Sequence, residues 1–231
     1  MAEGQGIVAG DALQKLGSAG FILAAILIVV GGLLMPHATT STANLQEMLK
    51  PLGEQQSRTQ LSALLIAFGF WAAMIGAAAV YRSIVEGGAA WARLGFYLAI
   101  MGTALWTVSL SLDVAVASAV ANWLAAPAGG EDAAYGTVAS LSAFGRGIVP
   151  MTWIIYWLAL AFLGISMVLS GVYPRWLGWA GLIVSIPIVV LGLVQVFSAR
   201  SISLTLTFAL LQTLTALWIL AVGIWLARRA W

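Results

Sequence analysis

The sequence predicts an all-α, polytopic integral membrane protein, and two observations carry that prediction. First, 62% of the residues are hydrophobic and only 8% are charged, whereas soluble domains average roughly 45–50% apolar and about 25% charged residues. Second, the chain contains six stretches that approach or exceed the roughly 20 mostly apolar residues needed to cross a bilayer. Because irregular backbone facing lipid leaves its polar groups unsatisfied, we expect each crossing to be helical.

The predicted spans form a single transmembrane domain that covers residues 1–231. The first apolar run is longer than the roughly 7–15 residues of a signal-peptide core, so we interpret it as an uncleaved helix. The third is longer than one upright crossing requires, and we expect its end to project from the membrane or to bend along its surface. The six predicted helices cover approximately residues 16–35, 60–81, 94–124, 148–170, 176–198 and 202–227.

The connections between the spans alternate in length. Residues 36–59 form a long polar connection, and the amphipathic run at 43–50 predicts a short interfacial helix within it, interrupted by Pro51. Residues 125–147 form the second long connection, which is rich in glycine and proline near its start and predicts a loop. The other connections are short, so most consecutive spans are expected to form tight helical hairpins.

Basic residues are distributed unevenly between the two sides of the predicted bundle. Lys and Arg near helix ends favour the cytoplasmic face, and the more basic side also carries both termini and the short connections. We therefore expect cytoplasmic termini and a multi-pass protein of the bacterial inner membrane. The basic residues on the cytoplasmic side would be Lys15, Arg82, Arg93, Arg175, Arg228 and Arg229, against Lys50, Arg58, Arg146 and Arg200 on the other side.

Ionisable side chains within or beside a span are candidates for function, because they are costly to place in lipid. Asp113 is the only acidic residue within an apolar run, and a helical rise of 1.5 Å per residue places it close to the outer interface. Arg146 begins the fourth span on the same side. The two side chains are candidates for an ion pair that fixes helix packing or for a proton- or ligand-binding site. Alternatively, Asp113 is a water-exposed carboxylate.

Polar and aromatic residues nearer the membrane centre extend the candidate site. Gln212 lies near the middle of the sixth span, where side-chain hydrogen bonds commonly join helices for about 1 kcal/mol. The fourth span carries the aromatic residues Trp153, Tyr156, Trp157 and Phe162, a pattern that is typical of helix packing or of an interface belt, or that lines a cleft for a lipophilic ligand. The candidate ligand-binding residues are Asp113, Arg146, Trp153, Tyr156, Trp157 and Gln212.

The residue types that metal and cofactor chemistry requires are sparse. The chain has no cysteine and a single histidine, His37, whereas zinc sites use three or four ligands. We interpret His37 as a solvated loop residue and expect no metal or cofactor, although a bound pigment or lipid remains open. The sequence has no motif of a serine or zinc hydrolase. We therefore expect no enzymatic activity, and no nucleic-acid partner because a concentrated basic face is lacking.

One segment between the fourth and fifth spans carries a resemblance. It reads Gly164-Ile-Ser-Met-Val-Leu-Ser-Gly-Val-Tyr-Pro-Arg-Trp-Leu-Gly-Trp-Ala-Gly181, in which Gly171 and Pro174 break helices and Arg175 marks a water boundary. The segment resembles the hairpin of a bacterial family of six-helix membrane proteins known as a domain of unknown function. The layout of the first two spans is similar as well. The resemblance implies the architecture but no activity and no site residue.

Three classes of function remain open. The first, which we favour, is a non-catalytic structural or accessory subunit of a larger membrane assembly, with lipid and other membrane proteins or further copies of the chain as partners. The second is a small transporter, or a binder of a lipophilic or small-molecule ligand. The third is an enzyme that acts on lipid, for which no catalytic constellation is visible.

Overall fold

The computed structural model describes the backbone of residues 3–36, 45–197 and 202–231, and the side chains of residues 12–36, 45–197 and 207–231. All regular secondary structure within these ranges is α-helical. The predicted all-α fold is therefore confirmed. His37 and Arg200 lie outside the described residues.

Six of the described helices are long and apolar enough to cross a membrane, which confirms the predicted six-span architecture. A shorter helix lies between the first and second spans. The helices are α1 (Glu3–Leu34), α2 (Leu45–Glu54), α3 (Gln56–Ser83), α4 (Ala89–Leu124), α5 (Glu131–Ser170), α6 (Arg175–Phe197) and α7 (Ile202–Ala230).

The six long helices form a closed ring. They pack on one another in the order α1, α3, α4, α5, α6 and α7, and α7 returns to pack against α1. With six crossings, the start of α1 and the end of α7 lie at the same end of the ring. We call the end with α2 and the α4–α5 connection the hairpin end. The opposite, basic end carries Lys15, Arg82, Arg93, Arg175, Arg228 and Arg229.

Small residues let neighbouring helices approach closely, as is common for packing within lipid. Gly164 of α5 and Gly178 of α6 face each other, and a Cβ atom at Gly178 would lie 2.6 Å from the carbonyl oxygen of Gly164. Between α1 and α3, a Cβ atom at Gly20 would lie 2.7 Å from the carbonyl oxygen of Ala72. Larger side chains at these positions would push the helices apart.

The prediction of a loop at 125–147 is wrong for most of this range, because α5 begins at Glu131. Glu131 and Asp132 occupy its first turn, where negative charge is favoured by the helix dipole. At 1.5 Å per residue, α4 and α5 are about 54 and 60 Å long, well beyond the roughly 30 Å of a bilayer core. The end of α4 and the start of α5, residues 113–147, therefore form a helical hairpin at the hairpin end, which we call the long hairpin.

A short helix is present near the predicted position as α2, and it packs against the long hairpin. Pro51, which we expected to interrupt the helix, lies inside it. Gly53 is buried, and a Cβ atom there would lie 2.8 Å from the backbone nitrogen of Ala121 on α4. An apolar cluster separate from the centre of the ring joins α2 to the hairpin. It is built on Val116, Val120 and Val138, with Leu49, Leu52, Leu112, Ala119, Trp123, Tyr135 and Leu141 around them.

The turn between α5 and α6 has the tight geometry expected from its glycine and proline. Gly171 has a φ of 64°, a left-handed conformation that glycine adopts without a steric penalty from Cβ. The backbone nitrogen of Val172 donates to Ser170 Oγ at 3.2 Å, and that of Leu177 donates to the Pro174 carbonyl at 3.0 Å. Local hydrogen bonds thus close the turn.

Candidate functional site

An aromatic cluster fills the centre of the ring. Trp153, Tyr156 and Trp157 of α5 are all buried, at 5%, 2% and 1% exposure. The ring of Trp153 stacks on Phe208 of α7 with centroids 3.6 Å apart, and Tyr156 meets Phe70 of α3 edge-on at 4.8 Å. The three predicted aromatic residues are therefore part of the packed core of the ring.

Further members of the cluster were not singled out from the sequence. Trp106 of α4 stacks on Phe70 with centroids 4.6 Å apart and meets Trp157 at 6.0 Å. The indole nitrogen of Trp157 donates to Thr215 Oγ1 on α7 at 3.0 Å, so that a polar contact joins α5 to α7 across the ring. The position of these aromatic residues near the middle of a span could have indicated that they belong to the cluster. The rotation of each helix about its axis, which decides whether a side chain faces the centre, could not be read from the sequence.

A cavity of about 10 Å³ lies beside the cluster. Tyr156, Trp157 and Gln212 line it, so the structure brings three of the predicted residues together. A cavity of this size holds about one water molecule, whereas small-molecule pockets measure roughly 300–1,000 Å³. Two buried polar atoms of α4, Thr103 Oγ1 and Trp106 Nε1, have no hydrogen-bond partner within the described part of the chain. This cavity is too small for a ligand larger than water.

Asp113 and Arg146 do not line this cavity, and both lie on the long hairpin. Asp113 is half-buried and makes a polar contact, whereas Arg146 is exposed. Among the residues that the structure describes, no ion pair joins these two side chains. The six predicted residues therefore form an internal group around the aromatic cluster and a separate pair at the hairpin end.

A groove of about 370 Å³ runs along the long hairpin. The hydroxyl of Ser118, one of its lining residues, accepts a hydrogen bond from Gln56 Nε2 of α3 at 3.1 Å and donates to the Val114 carbonyl at 3.0 Å. The volume lies within the range of small-molecule sites, but none of the predicted residues contributes to it. The groove is lined by Ala115, Ser118, Ala119, Asn122, Ala134 and Thr137.

At the basic end, Tyr173 of the α5–α6 turn is buried at 3% exposure. Its hydroxyl shares a 2.7 Å hydrogen bond with Ser83 Oγ at the end of α3, and its ring centre lies 4.4 Å from that of Trp225 on α7. Burial raises the pKa of Tyr173 to about 12, while the Ser83 hydrogen bond and the charge of Arg229 act in the opposite direction. Tyr173 thus ties the turn to α3 and α7.

Two cations at the basic end lie over tryptophan rings. The ammonium nitrogen of Lys15 on α1 is 4.7 Å from the ring centre of Trp231, and the guanidinium carbon of Arg229 is 4.4 Å from that of Trp225. Contacts of this kind contribute about 0.5–1 kcal/mol at exposed sites. The Lys15 contact joins α1 to the end of α7, whereas the Arg229 contact lies within α7.

The described side chains include no group of three or more His, Cys, Asp or Glu residues that could hold a metal ion. His37 lies outside the described residues, so its interpretation as a solvated loop residue stays a prediction. The reactive groups that are described in the centre of the ring are phenol, amide and hydroxyl groups.

Comparison with known proteins places the chain in a family. Searches of curated proteins and of solved structures find no match. A family model described as a domain of unknown function (DUF4386) matches residues 17–229. The match runs from the apolar part of α1 to the last turn of α7 and so covers all six spans. The chain therefore belongs to this family of proteins with a domain of unknown function.

Proposed function

We propose that this protein is a non-catalytic, multi-pass protein of the bacterial inner membrane that serves as a structural or accessory subunit of a larger membrane assembly. The observation that carries the proposal is the long hairpin. It extends beyond the shorter helices of the ring and is fastened to α2 by an apolar cluster of its own. Because α2 packs against it, the long hairpin presents a defined surface to a partner protein at the membrane face.

The exposed face of α5 in the long hairpin is made of small residues. Gly136, Thr137 and Ser140 are exposed, and a Cβ atom added at Gly136 would meet no atom within 4 Å. Small residues let another backbone approach closely. This face is therefore our proposed contact surface for the partner.

The small size of the cavity beside the aromatic cluster also supports a structural role. A transporter needs a substrate site near the midplane that alternates between the two sides, whereas the cavity here has room for about one water molecule. Catalysis needs a nucleophile or a general base that converges with a substrate position. The residues around the cavity include no charged side chain.

The orientation follows from the charges at the two ends of the ring. The basic end carries six Lys and Arg residues on α1, α3, α4, α6 and α7, and such clusters favour the cytoplasmic side. We therefore place both termini in the cytoplasm and the long hairpin outside it.

The test is purification of the tagged protein from native membranes in a mild detergent, followed by mass spectrometry. We expect a partner at near-stoichiometric amount with the wild type and its loss with Gly136→Trp. The matched control is Gly32→Trp on α1, because a Cβ atom at Gly32 also meets no atom within 4 Å. Absence of any stoichiometric partner, or its retention by Gly136→Trp, would contradict the proposal.

A second candidate is a binder of a small-molecule or lipophilic ligand, and the groove on the long hairpin favours it. Its volume of about 370 Å³ is sufficient for a small molecule. Ala115 lines the groove and is exposed, so Ala115→Trp should fill it without disturbing the core. Mass spectrometry of extracts from the purified protein should then detect a bound molecule with the wild type and with Gly32→Trp, but not with Ala115→Trp.

A further inference from the structure

We propose that the basic end binds the headgroup of an anionic phospholipid at the seam between α1 and α7. Lys15 of α1 and Arg228 and Arg229 of α7 all lie at the basic end, and the two arginines precede Trp231 by three and two residues. The cation–π contact of Lys15 with Trp231 spans this seam. Deeper in the membrane, α1 and α7 are in close contact, since a Cβ atom at Gly223 would lie 3.0 Å from Phe21 Cβ.

The aromatic rings hold two of these cations in defined positions. Lys15 lies over Trp231 and Arg229 over Trp225, so one side of each cation faces a ring. An ammonium group has three N–H donors and a guanidinium group has five, which leaves donors for a further acceptor. Phosphate oxygens match both groups, and guanidinium binds them in bidentate geometry.

Carboxylates do not neutralise this charge in the described part of the basic end. Glu86, in the α3–α4 connection, is the only acidic residue there whose side chain is described. No ion pair within the described residues joins a carboxylate to Lys15, Arg228 or Arg229. Positive charge therefore predominates among the described side chains of this end, and each Lys or Arg near an anionic lipid surface contributes about 1 kcal/mol.

Apolar surface next to the seam suits the acyl chains of a lipid. Leu16 follows Lys15 directly and is exposed, and Ile224 is exposed one turn before Arg228. Trp231 is also exposed, which is typical of a tryptophan at headgroup depth. Cations beside an exposed apolar strip match a phospholipid of the surrounding bilayer better than a free phosphate ion.

Native mass spectrometry of the full chain in detergent tests the proposal, with phosphatidylglycerol and phosphatidylcholine of identical acyl chains as probes. The wild type should retain phosphatidylglycerol about tenfold or more over phosphatidylcholine, as three cations at about 1 kcal/mol each allow. The triple variant Lys15→Gln, Arg228→Gln, Arg229→Gln should lose this preference. A matched triple variant at the hairpin end, Lys50→Gln, Arg58→Gln, Arg146→Gln, should keep it.

Thermal unfolding of the wild type keeps the proposal testable if the triple variant does not fold. Phosphatidylglycerol should raise the unfolding temperature more than phosphatidylcholine does, and inorganic phosphate at the same concentration should not reproduce the effect. Equal retention of the two lipids, an equal loss of preference in the hairpin-end variant, or full competition by inorganic phosphate would each overturn the proposal.

Discussion

The hydroxyl groups of Tyr173 and Ser83 lie 2.7 Å apart and connect the α5–α6 turn to the end of α3. The Tyr173 ring packs at the same time against Trp225 of α7. One side chain of the turn therefore contacts two helices that are distant in sequence. The segment that marks a membrane boundary in the sequence is also a packing element at the basic end.

Removing this hydroxyl should weaken the fold without disturbing the turn. Tyr173→Phe keeps the buried ring but loses the hydrogen bond to Ser83, so we expect a loss of about 1 kcal/mol in the free energy of unfolding. Denaturant unfolding in detergent at pH 8 measures this. Tyr97→Phe, at an exposed tyrosine of α4, is the control and should leave stability unchanged. Equal stability of the wild type and Tyr173→Phe would contradict the prediction.

The raised pKa of Tyr173 predicts a pH dependence as well. The phenol has a pKa of about 12 in the folded protein against 10.0 for an ordinary tyrosine, so the folded state keeps a proton that the unfolded chain releases. The folded protein therefore keeps its full stability below pH 10 and loses stability as the pH rises from 10 to about 12. Two pKa units correspond to about 3 kcal/mol at most. The stability difference between the wild type and Tyr173→Phe should therefore shrink and reverse across this range; a constant difference would contradict the prediction.

The close approach of α5 and α6 should depend on Gly178. Gly178→Val would place side-chain atoms against the Gly164 carbonyl and separate the two helices, at an expected cost of about 1–3 kcal/mol. The midpoint of denaturation in detergent measures this cost. Gly32→Val is the matched control, because the space around Gly32 is open. A similar midpoint shift in both variants would show that the helix contact is not the cause.

The docking of α2 should depend on Gly53. Gly53→Val would clash with Ala121 on α4 and displace α2 from the long hairpin, while the ring stays intact because its helices pack elsewhere. Hydrogen exchange should therefore become faster in residues 113–147 and remain slow in the membrane core. Gly136→Val, on the exposed side of the same hairpin, should leave exchange unchanged. Protection of the hairpin in Gly53→Val would refute this prediction.

The proposed orientation predicts where reporters are active. A fluorescent protein fused after Trp231 should fluoresce in the cytoplasm, and alkaline phosphatase fused there should be inactive. Alkaline phosphatase inserted at Gly129, in the turn of the long hairpin, should be active. The opposite pattern of reporter activity would show that the basic end faces away from the cytoplasm and would contradict the prediction.

The spans could be predicted because each one needs a long apolar run, whatever its neighbours are. α6 illustrates this, since its observed bounds, Arg175–Phe197, differ from the prediction by one residue at each end. The start of α5 could not be predicted in the same way. Glycine and proline at residues 127–130 indicated a loop, but they mark only the turn before Glu131, and contacts with α4 and the α2 cluster stabilise the helix that follows.

The candidate site was predicted in its residue types but not in its geometry. Gln212 was recognised as a polar residue and Tyr156 as an aromatic one, and they share a cavity because α5 and α7 face each other across the ring. That relation depends on the order of the helices in the ring and on the rotation of each one. Asp113 and Arg146 were predicted at the same depth, but depth alone did not bring their side chains into an ion pair.

The ring closes between the first and the last spans of the chain, α1 and α7. During synthesis, α1, α3, α4, α5 and α6 can pack in order as they enter the membrane, but the side of α1 that faces α7 remains open to lipid until α7 has been translated. Phe208 and Thr215, which contact the aromatic cluster, also arrive with α7. Insertion of α7 is therefore the step that seals the centre of the ring, and a chain that stops before α7 would leave its aromatic core exposed to the membrane.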